Sequence, residues 1–121
     1  MREILFRAKR KDNGGWVEGD LLHTRHADVV LISDFKDQLF RCDGNTICQY
    51  TGLTDKNGQK IWENDIAHIR SSGLSGYGVI KYQNGNLVLV DEKRKRTYSL
   101  YGEWKIRKDG NIFDNAELLE V

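Results

Sequence analysis

The chain contains no proline, few sulfur-containing residues and no long apolar run. Without proline there are no proline-rigidified turns or strand-edge breaks, so charged residues must protect the sheet edges instead. No apolar segment approaches the roughly 20 residues that a membrane-spanning helix requires. The N-terminus carries charge from Arg2 onward and lacks the hydrophobic region of a signal peptide. We therefore expect a cytoplasmic protein with no membrane partner.

The chain has two cysteines and three histidines, which argues against a structural zinc site. Cys42 and Cys48 flank residues 43–47, and a hairpin loop of that length could set the two thiols opposite each other. A disulfide is then conceivable under oxidising conditions, whereas in a cytoplasm the simpler expectation is two reduced thiols. We predict no cofactor and no metal ligand in this sequence.

Length and composition favour a small globular protein. The 121 residues fit one domain, 1–121, or at most two small β-subdomains of about 1–50 and 51–121 that share a core. A hydrophobic fraction of 39% beside 31% charged residues argues against disorder. The net charge of +1 gives no long-range attraction towards nucleic acid, so any such role must come from a local cluster of charge.

Turn signals recur every eight to twelve residues, a rhythm typical of all-β proteins. Asn13-Gly14 and Asn84-Gly85 suit hairpin turns, because such turns require positive φ angles. Alternation predicts that the first strand buries Ile4, Phe6 and Ala8 on one face. We predict an all-β fold, in which small barrel-like substructures could be duplicated.

Three local segments carry further predictions. Ser71–Gly76 is the most flexible segment by composition, and Asp109–Asn111 reads as a turn between strands. At the C-terminus Asp114 precedes Glu117 by three residues, a variant of the capping box. This spacing predicts a short C-terminal helical turn.

A segment near the N-terminus is partly repeated about 45 residues later. An Asn-Gly pair precedes each copy, and we expect the two copies to occupy equivalent places in two similar β-substructures. Four residue types recur at the same spacing: Glu18 and Glu63, Asp20 and Asp65, His23 and His68, Arg25 and Arg70.

The repeated carboxylates and histidines could hold a metal or act as general acid and base. Strand geometry argues against this within one copy, because Glu18 and Asp20 project to the face opposite His23. A structural role requires less: Gly19 and Asn64 would adopt positive φ, and each aspartate would accept backbone N–H groups in a turn. We favour turn architecture and predict no catalytic residues.

A basic run, Lys93-Arg94-Lys95-Arg96, lies close to Tyr98. Basic residues interleaved with aromatics are typical of strand-based surfaces for single-stranded nucleic acid, where cations contact phosphates and rings stack on bases. The alternative is a solvated hairpin tip whose charges discourage edge-to-edge pairing. These five residues form the candidate nucleic-acid site.

The longest distinctive block is Gln49–Ile66. It resembles the core Q-Y-T-G-L-x-D-x-N-G-x-x-I-[aromatic]-E-G-D-I of the YopX-like family of phage and prophage proteins. The chain departs from the family pattern at Lys9, where Trp is common, at Asn64, where Gly is usual, and at Ala116, where Pro is usual. Further blocks that resemble the family are Glu3–Ala8, Trp16–Leu21, Gly78–Tyr82 and Gly110–Leu119.

The resemblance implies a small β-rich protein of phage or prophage origin, acting in the host cytoplasm, and it carries over no catalytic residue. We expect a non-enzymatic accessory protein that acts by protein–protein contact with a host or phage protein or with itself, as a homo-oligomer. The alternative is a nucleic-acid-binding β module centred on residues 93–96.

Overall fold

The computed structural model describes residues 4–26 and 28–120. These residues form eleven β-strands and two short 3₁₀ helices, which confirms the all-β prediction. The 3₁₀ helices are Gly44–Thr46 and Ala116–Leu119. The strands are β1 (Phe6–Lys9), β2 (Trp16–His23), β3 (Val29–Ser33), β4 (Leu39–Asp43), β5 (Cys48–Thr54), β6 (Lys60–Trp62), β7 (Asp65–Ser71), β8 (Leu74–Gln83), β9 (Asn86–Asp91), β10 (Arg96–Ser99) and β11 (Lys105–Asn111).

The chain divides into two compact units, Met1–Tyr50 and Thr51–Val121. We call them unit 1 and unit 2; β5 runs across the division.

Unit 1 is an antiparallel sheet with the strand order β4-β3-β2-β1-β5. Its inward positions form a small core of Ala8, Val30, Ile32 and Cys42. The sheet curls so that the end of β1 approaches β4. Arg10 forms an isolated bridge with Cys42, and the Lys11 N–H donates to the Arg41 carbonyl at 2.9 Å. One bridge is less than a strand pair, so the barrel-like curl stays incomplete among the described residues.

Unit 2 contains the antiparallel order β10-β9-β8-β7-β11. The hairpins have tight turns: Asn84 and Gly85 both take positive φ, and so do Ser72 and Gly73. Positive φ at both central residues is the mark of a type I′ turn, which matches the twist of its flanking strands. One hydrophobic cluster of the unit 2 core consists of the buried residues Ile61, Ala67, Ile69, Ile80, Leu89, Leu100 and Ile106.

Ser71–Gly76 forms the end of β7, the β7–β8 turn and the start of β8, and its flexibility stays a prediction. Two other local predictions were wrong. Asp109–Asn111 is not a turn between strands: β11 continues through it, with a register shift between Lys108 and Gly110. Ile4 precedes β1 and is 70% exposed rather than buried, whereas Leu5 is buried.

The C-terminal helical turn is present as the 3₁₀ helix, but its predicted cap is wrong. Asn115 occupies the N-cap position and makes no side-chain cap hydrogen bond. The Asp114 carboxylate instead accepts from the Asn111 side-chain amide at 3.2 Å. Asn111 in turn accepts the backbone N–H groups of Phe113 and Asp114 through its side-chain oxygen, so this asparagine organises the turn.

The two copies of the sequence repeat are not equivalent. Residues 16–23 of the first copy form one uninterrupted strand, β2. In the second copy Asn64, with φ of 73°, makes a turn between β6 and β7. Gly19 is needed for a different reason from the one predicted. A Cβ atom there would lie 2.0 Å from the Ser33 carbonyl oxygen.

Two other turns, which the sequence repeat does not include, do have equivalent structures. Asp34 accepts the backbone N–H groups of residues two and four positions later through its side chain. Asp55 does the same in its own turn. Positive φ follows three residues after each aspartate, at Asp37 and at Gly58. The sequence signal for this three-residue loop is Asp-x-x-[Asp/Gly]-Gln.

Both cysteines are buried free thiols. The Cys42 Sγ lies 3.6 Å from the Phe40 carbonyl oxygen, and the Cys48 Sγ lies 3.4 Å from that of Thr46. Burial raises the pKa of the Cys42 thiol and so favours its neutral, unreactive form.

Candidate functional site

Asp65, in the distinctive sequence block Gln49–Ile66, has a structural role. Asp65 is completely buried, and its carboxylate accepts the Trp62 backbone N–H at 2.8 Å. The Lys108 Nζ lies 3.4 Å from the same carboxylate. This confirms the predicted turn role for Asp65. The prediction was wrong for Asp20, which is exposed within β2 rather than in a turn.

The histidines of the repeat are separated from its buried carboxylate. His68 is exposed on β7, whereas Asp65 on the same strand is buried, as strand alternation predicts. His23 is exposed at the end of β2. Within residues 4–26 and 28–120, no group of three or more His, Cys, Asp or Glu is placed to hold a metal ion.

The basic run lies in the turn between β9 and β10, and its last residue, Arg96, begins β10. Lys93, Arg94, Lys95 and Arg96 are all exposed, and Lys95 takes a φ of 53°. The backbone N–H of Arg94 donates to the Asp91 carboxylate, which fixes the turn. The side chains themselves project as a solvated tip at the β10 edge of the sheet.

Tyr98 does not stand free beside this tip. Its hydroxyl donates to the Ser75 carbonyl oxygen at 3.4 Å, and its ring meets Trp104 edge-on at 6.3 Å. A Cβ atom at Gly76 would lie only 2.7 Å from the Tyr98 ring, so the ring crosses β8 where a glycine leaves room. These contacts use the ring for packing. Nucleic-acid binding by residues 93–96 and Tyr98 stays a prediction.

A second cationic surface lies on the exposed face of β7 and β11. Antiparallel register sets Arg70 opposite Lys105, and His68 opposite Arg107. Together with Lys56 these side chains line a groove of about 300 Å³. The Lys56 backbone N–H donates to the Ile106 carbonyl oxygen at 3.3 Å, which anchors the loop beside β11. We call this surface, defined by Lys56, His68, Arg70, Lys105 and Arg107, the cationic groove.

One carboxylate lies at the end of the groove. Asp109 accepts from the Arg107 Nε at 3.1 Å and lies 3.0 Å from the His68 Nδ1. The Arg107 Nη2 also approaches the same Nδ1, at 2.7 Å. A protonated Nδ1 donates to Asp109, whereas an unprotonated Nδ1 accepts from Arg107. The Asp109 and Arg107 side chains therefore hold the His68 ring in either state.

Tyr77 supports the His68 ring from the neighbouring strand. The two ring centroids lie 4.2 Å apart at an interplanar angle of 44°. Burial, with a smaller effect of the Asp109 charge, raises the pKa of Tyr77. The phenol thus stays neutral at physiological pH and presents an uncharged aromatic surface beside the cations.

The sequence contains a signal for this groove that motif reasoning missed. His68-Ile69-Arg70 and Lys105-Ile106-Arg107 share the pattern basic–Ile–basic. In a strand, such a tripeptide buries the isoleucine and exposes both basic residues. The pairing of the two tripeptides depends on the register of β7 with β11, which the sequence alone does not specify.

Unit 1 presents a different outward face. Register places Leu22, Leu31 and Arg41 in one cross-strand row on β2, β3 and β4. The next row on the same face is Asp20, Ser33 and Leu39. Leu22 is 46% exposed and Leu39 is 59% exposed. We call these six residues the leucine face of unit 1.

Phe35, in the turn between β3 and β4, is 73% exposed. Among the described residues of unit 2, the exposed large apolar ones are Leu74, at the start of β8, and Tyr101, after β10. No helix among the described residues has the length and apolarity to span a membrane.

The family model of the YopX protein matches residues 5–120. No curated protein and no solved structure matches the chain. The family match extends over both units and includes the Asp55 turn and the buried Asp65. The chain therefore belongs to the YopX protein family.

Proposed function

We propose that this YopX-family protein is a non-enzymatic phage accessory protein that acts by protein–protein contact, and that it self-associates through the leucine face of unit 1. Family membership supports the association with phage. The observation that carries the proposal is the exposure of Leu22 and Leu39 on one sheet face. Exposed apolar side chains grouped on one face are typical of interaction surfaces.

A second copy of the chain is the partner that fits this face. Leu22 and Leu39 lie on one diagonal of the two rows, and Asp20 and Arg41 lie on the other. A twofold axis along the leucine diagonal would set each leucine against its own counterpart. The same axis would set Arg41 opposite Asp20 of the second copy. An interface of this kind is self-complementary, as a symmetric homodimer requires.

Sedimentation velocity over a concentration series tests the proposal. Wild type should form a dimer in equilibrium with monomer, and the pair Leu22→Ser with Leu39→Ser should remain monomeric. Leu74→Ser is the matched control, because Leu74 is 60% exposed but belongs to unit 2 and not to the leucine face. A wild type that is monomeric throughout the series would overturn self-association.

A charge exchange tests the pairing itself. Asp20→Arg and Arg41→Asp should each weaken the dimer, because each sets like charges opposite one another. The double variant should restore association. Lys36→Asp, an exposed charge reversal in the β3–β4 turn, should leave association unchanged. Failure of the double variant to restore the dimer would exclude this twofold arrangement.

A further inference from the structure

We propose that the cationic groove of unit 2 binds the phosphodiester backbone of single-stranded nucleic acid. This site is distinct from the leucine face of unit 1, which carries the proposed self-association. It is also distinct from the basic tip at residues 93–96.

Much of the positive charge of the cationic groove is uncompensated. Arg70 and Lys105 are direct cross-strand neighbours, and both are exposed. Among the described residues, no carboxylate lies within 4.0 Å of the side-chain nitrogens of Lys56, Arg70 or Lys105. Arg107 and His68 both pair with Asp109. Clustered cations of this kind repel one another, and a polyanion relieves that repulsion while releasing its own counterions.

The cations of the groove are arranged in two rows along neighbouring strands. Alternate side chains on one strand recur about every 7 Å, so Lys105 and Arg107 form a row along β11. Arg70 and His68 form a parallel row on β7. Lys56 approaches from the loop on the outer side of β11. An extended backbone that follows these rows would meet successive cations along one direction.

Aromatic side chains beside the cations favour single-stranded nucleic acid over an acidic peptide as the ligand. The His68 side chain is 46% exposed and rests against Tyr77. Aromatic surface beside a cationic track suits a ligand with bases that stack as well as phosphates that pair. A peptide of acidic residues supplies the charge but no ring. The basic tip at residues 93–96 lacks this feature, because Tyr98 packs across Gly76.

The experiment is a fluorescence-anisotropy titration with labelled oligo-dT and oligo-rU of about eight nucleotides, within the usual site size of small β modules. Each is measured at about 50 and about 200 mM salt. The groove variant is Arg70→Ser with Lys105→Ser. The matched control is Lys93→Ser with Arg94→Ser, which removes the same two residue types from exposed positions in the same unit. Unchanged melting temperatures verify that both variants fold.

Wild type should bind at least one of the two oligonucleotides, with affinity that falls steeply as salt rises. The groove variant should bind about tenfold more weakly or worse, with a salt slope smaller by about 1.4, the value for two lost phosphate contacts on a single strand. The tip control should stay within about twofold of wild type, because its residues contact no phosphate in this arrangement.

Three results would overturn the proposal. Wild type could fail to bind either oligonucleotide at low salt. The tip control could lose as much affinity as the groove variant, which would move the site to residues 93–96. An octaglutamate peptide could displace the oligonucleotide at equimolar concentration, which would identify an acidic protein segment as the ligand. Binding to dT alone or to rU alone would support the proposal and identify the kind of strand.

Discussion

The outward faces of the two units differ although both are antiparallel sheets with buried aliphatic cores. On unit 1 the exposed positions of β2, β3 and β4 include two leucines beside one carboxylate and one guanidinium. On unit 2 the exposed positions of β7 and β11 are basic, with Asp109 at one end. A net charge of +1 describes neither surface. Average composition is thus a poor guide to what a small β protein can bind, because strand alternation collects like residues on one face.

A second contrast concerns two aspartates that match in the sequence repeat. Asp20 is exposed in the middle of a strand, whereas Asp65 is fully buried with Trp62 and Lys108 as partners. The difference arises one residue earlier. Gly19 lies in an extended strand against the Ser33 carbonyl, and Asn64 takes positive φ and turns the chain. Identical residues at identical spacing therefore serve unrelated roles.

The largest expected effect separates these two aspartates. Asp65→Ala leaves the largely buried Lys108 ammonium without its charge partner and the Trp62 N–H without its acceptor. We expect the free energy of unfolding to fall by about 3–5 kcal/mol. Asp20→Ala should change it by less than about 0.5 kcal/mol. Urea denaturation at a protein concentration below the dimerisation range measures both, and equal losses would mean that the two positions are equivalent after all.

A smaller effect on stability is expected at two glycines, one in each unit, that pack against a backbone carbonyl of the neighbouring strand. A Cβ atom at Gly19 would lie 2.0 Å from the Ser33 carbonyl oxygen, and one at Gly78 would lie 2.1 Å from that of Val90. Gly19→Ala and Gly78→Ala should each cost about 1–3 kcal/mol, because the neighbouring strand must shift. Thr97→Ala, at an exposed position on β10, serves as the control. A neutral Gly19→Ala would show that the β2–β3 approach is looser than described.

The smallest effect concerns the two equivalent turns. Asp37 and Gly58 occupy the same positive-φ position, with φ of 63° and 79°. Asp37→Gly should stabilise unit 1 by less than about 1 kcal/mol, since aspartate tolerates this region better than most non-glycine residues. Gly58→Asp should destabilise unit 2 by a similar amount. Thermal denaturation of both exchanges checks the equivalence, and changes of the same sign would contradict it.

Much of the fold could be predicted from local signals. Asn84-Gly85 takes the positive φ angles that its hairpin needs. Turn signals failed where local and tertiary preferences conflict: Asp109-Gly110 resembles a turn, yet β11 pairs with β7 on both sides of Asp109 and absorbs this extra residue as a register shift.

The surfaces were less predictable than the strands. The basic run at residues 93–96 is conspicuous because its residues are consecutive, and it forms a turn. Arg70 and Lys105 are 35 positions apart and become neighbours only through register. Leu22 and Leu39 also share a face only through register, although their strands are separated by β3 alone and follow one another in the chain. Pairing between distant strands depends on the packing of the whole core, and no local pattern encodes it.

The central claim is that each unit carries its own binding surface, and one measurement tests it directly. Sedimentation velocity with a labelled oligonucleotide of about eight nucleotides reports self-association and nucleic-acid binding in the same cell. The Leu22→Ser, Leu39→Ser variant should sediment as a monomer that still carries the label. The Arg70→Ser, Lys105→Ser variant should remain a dimer and leave the oligonucleotide free. Loss of both activities in either folded variant would contradict the assignment of the two surfaces to different units.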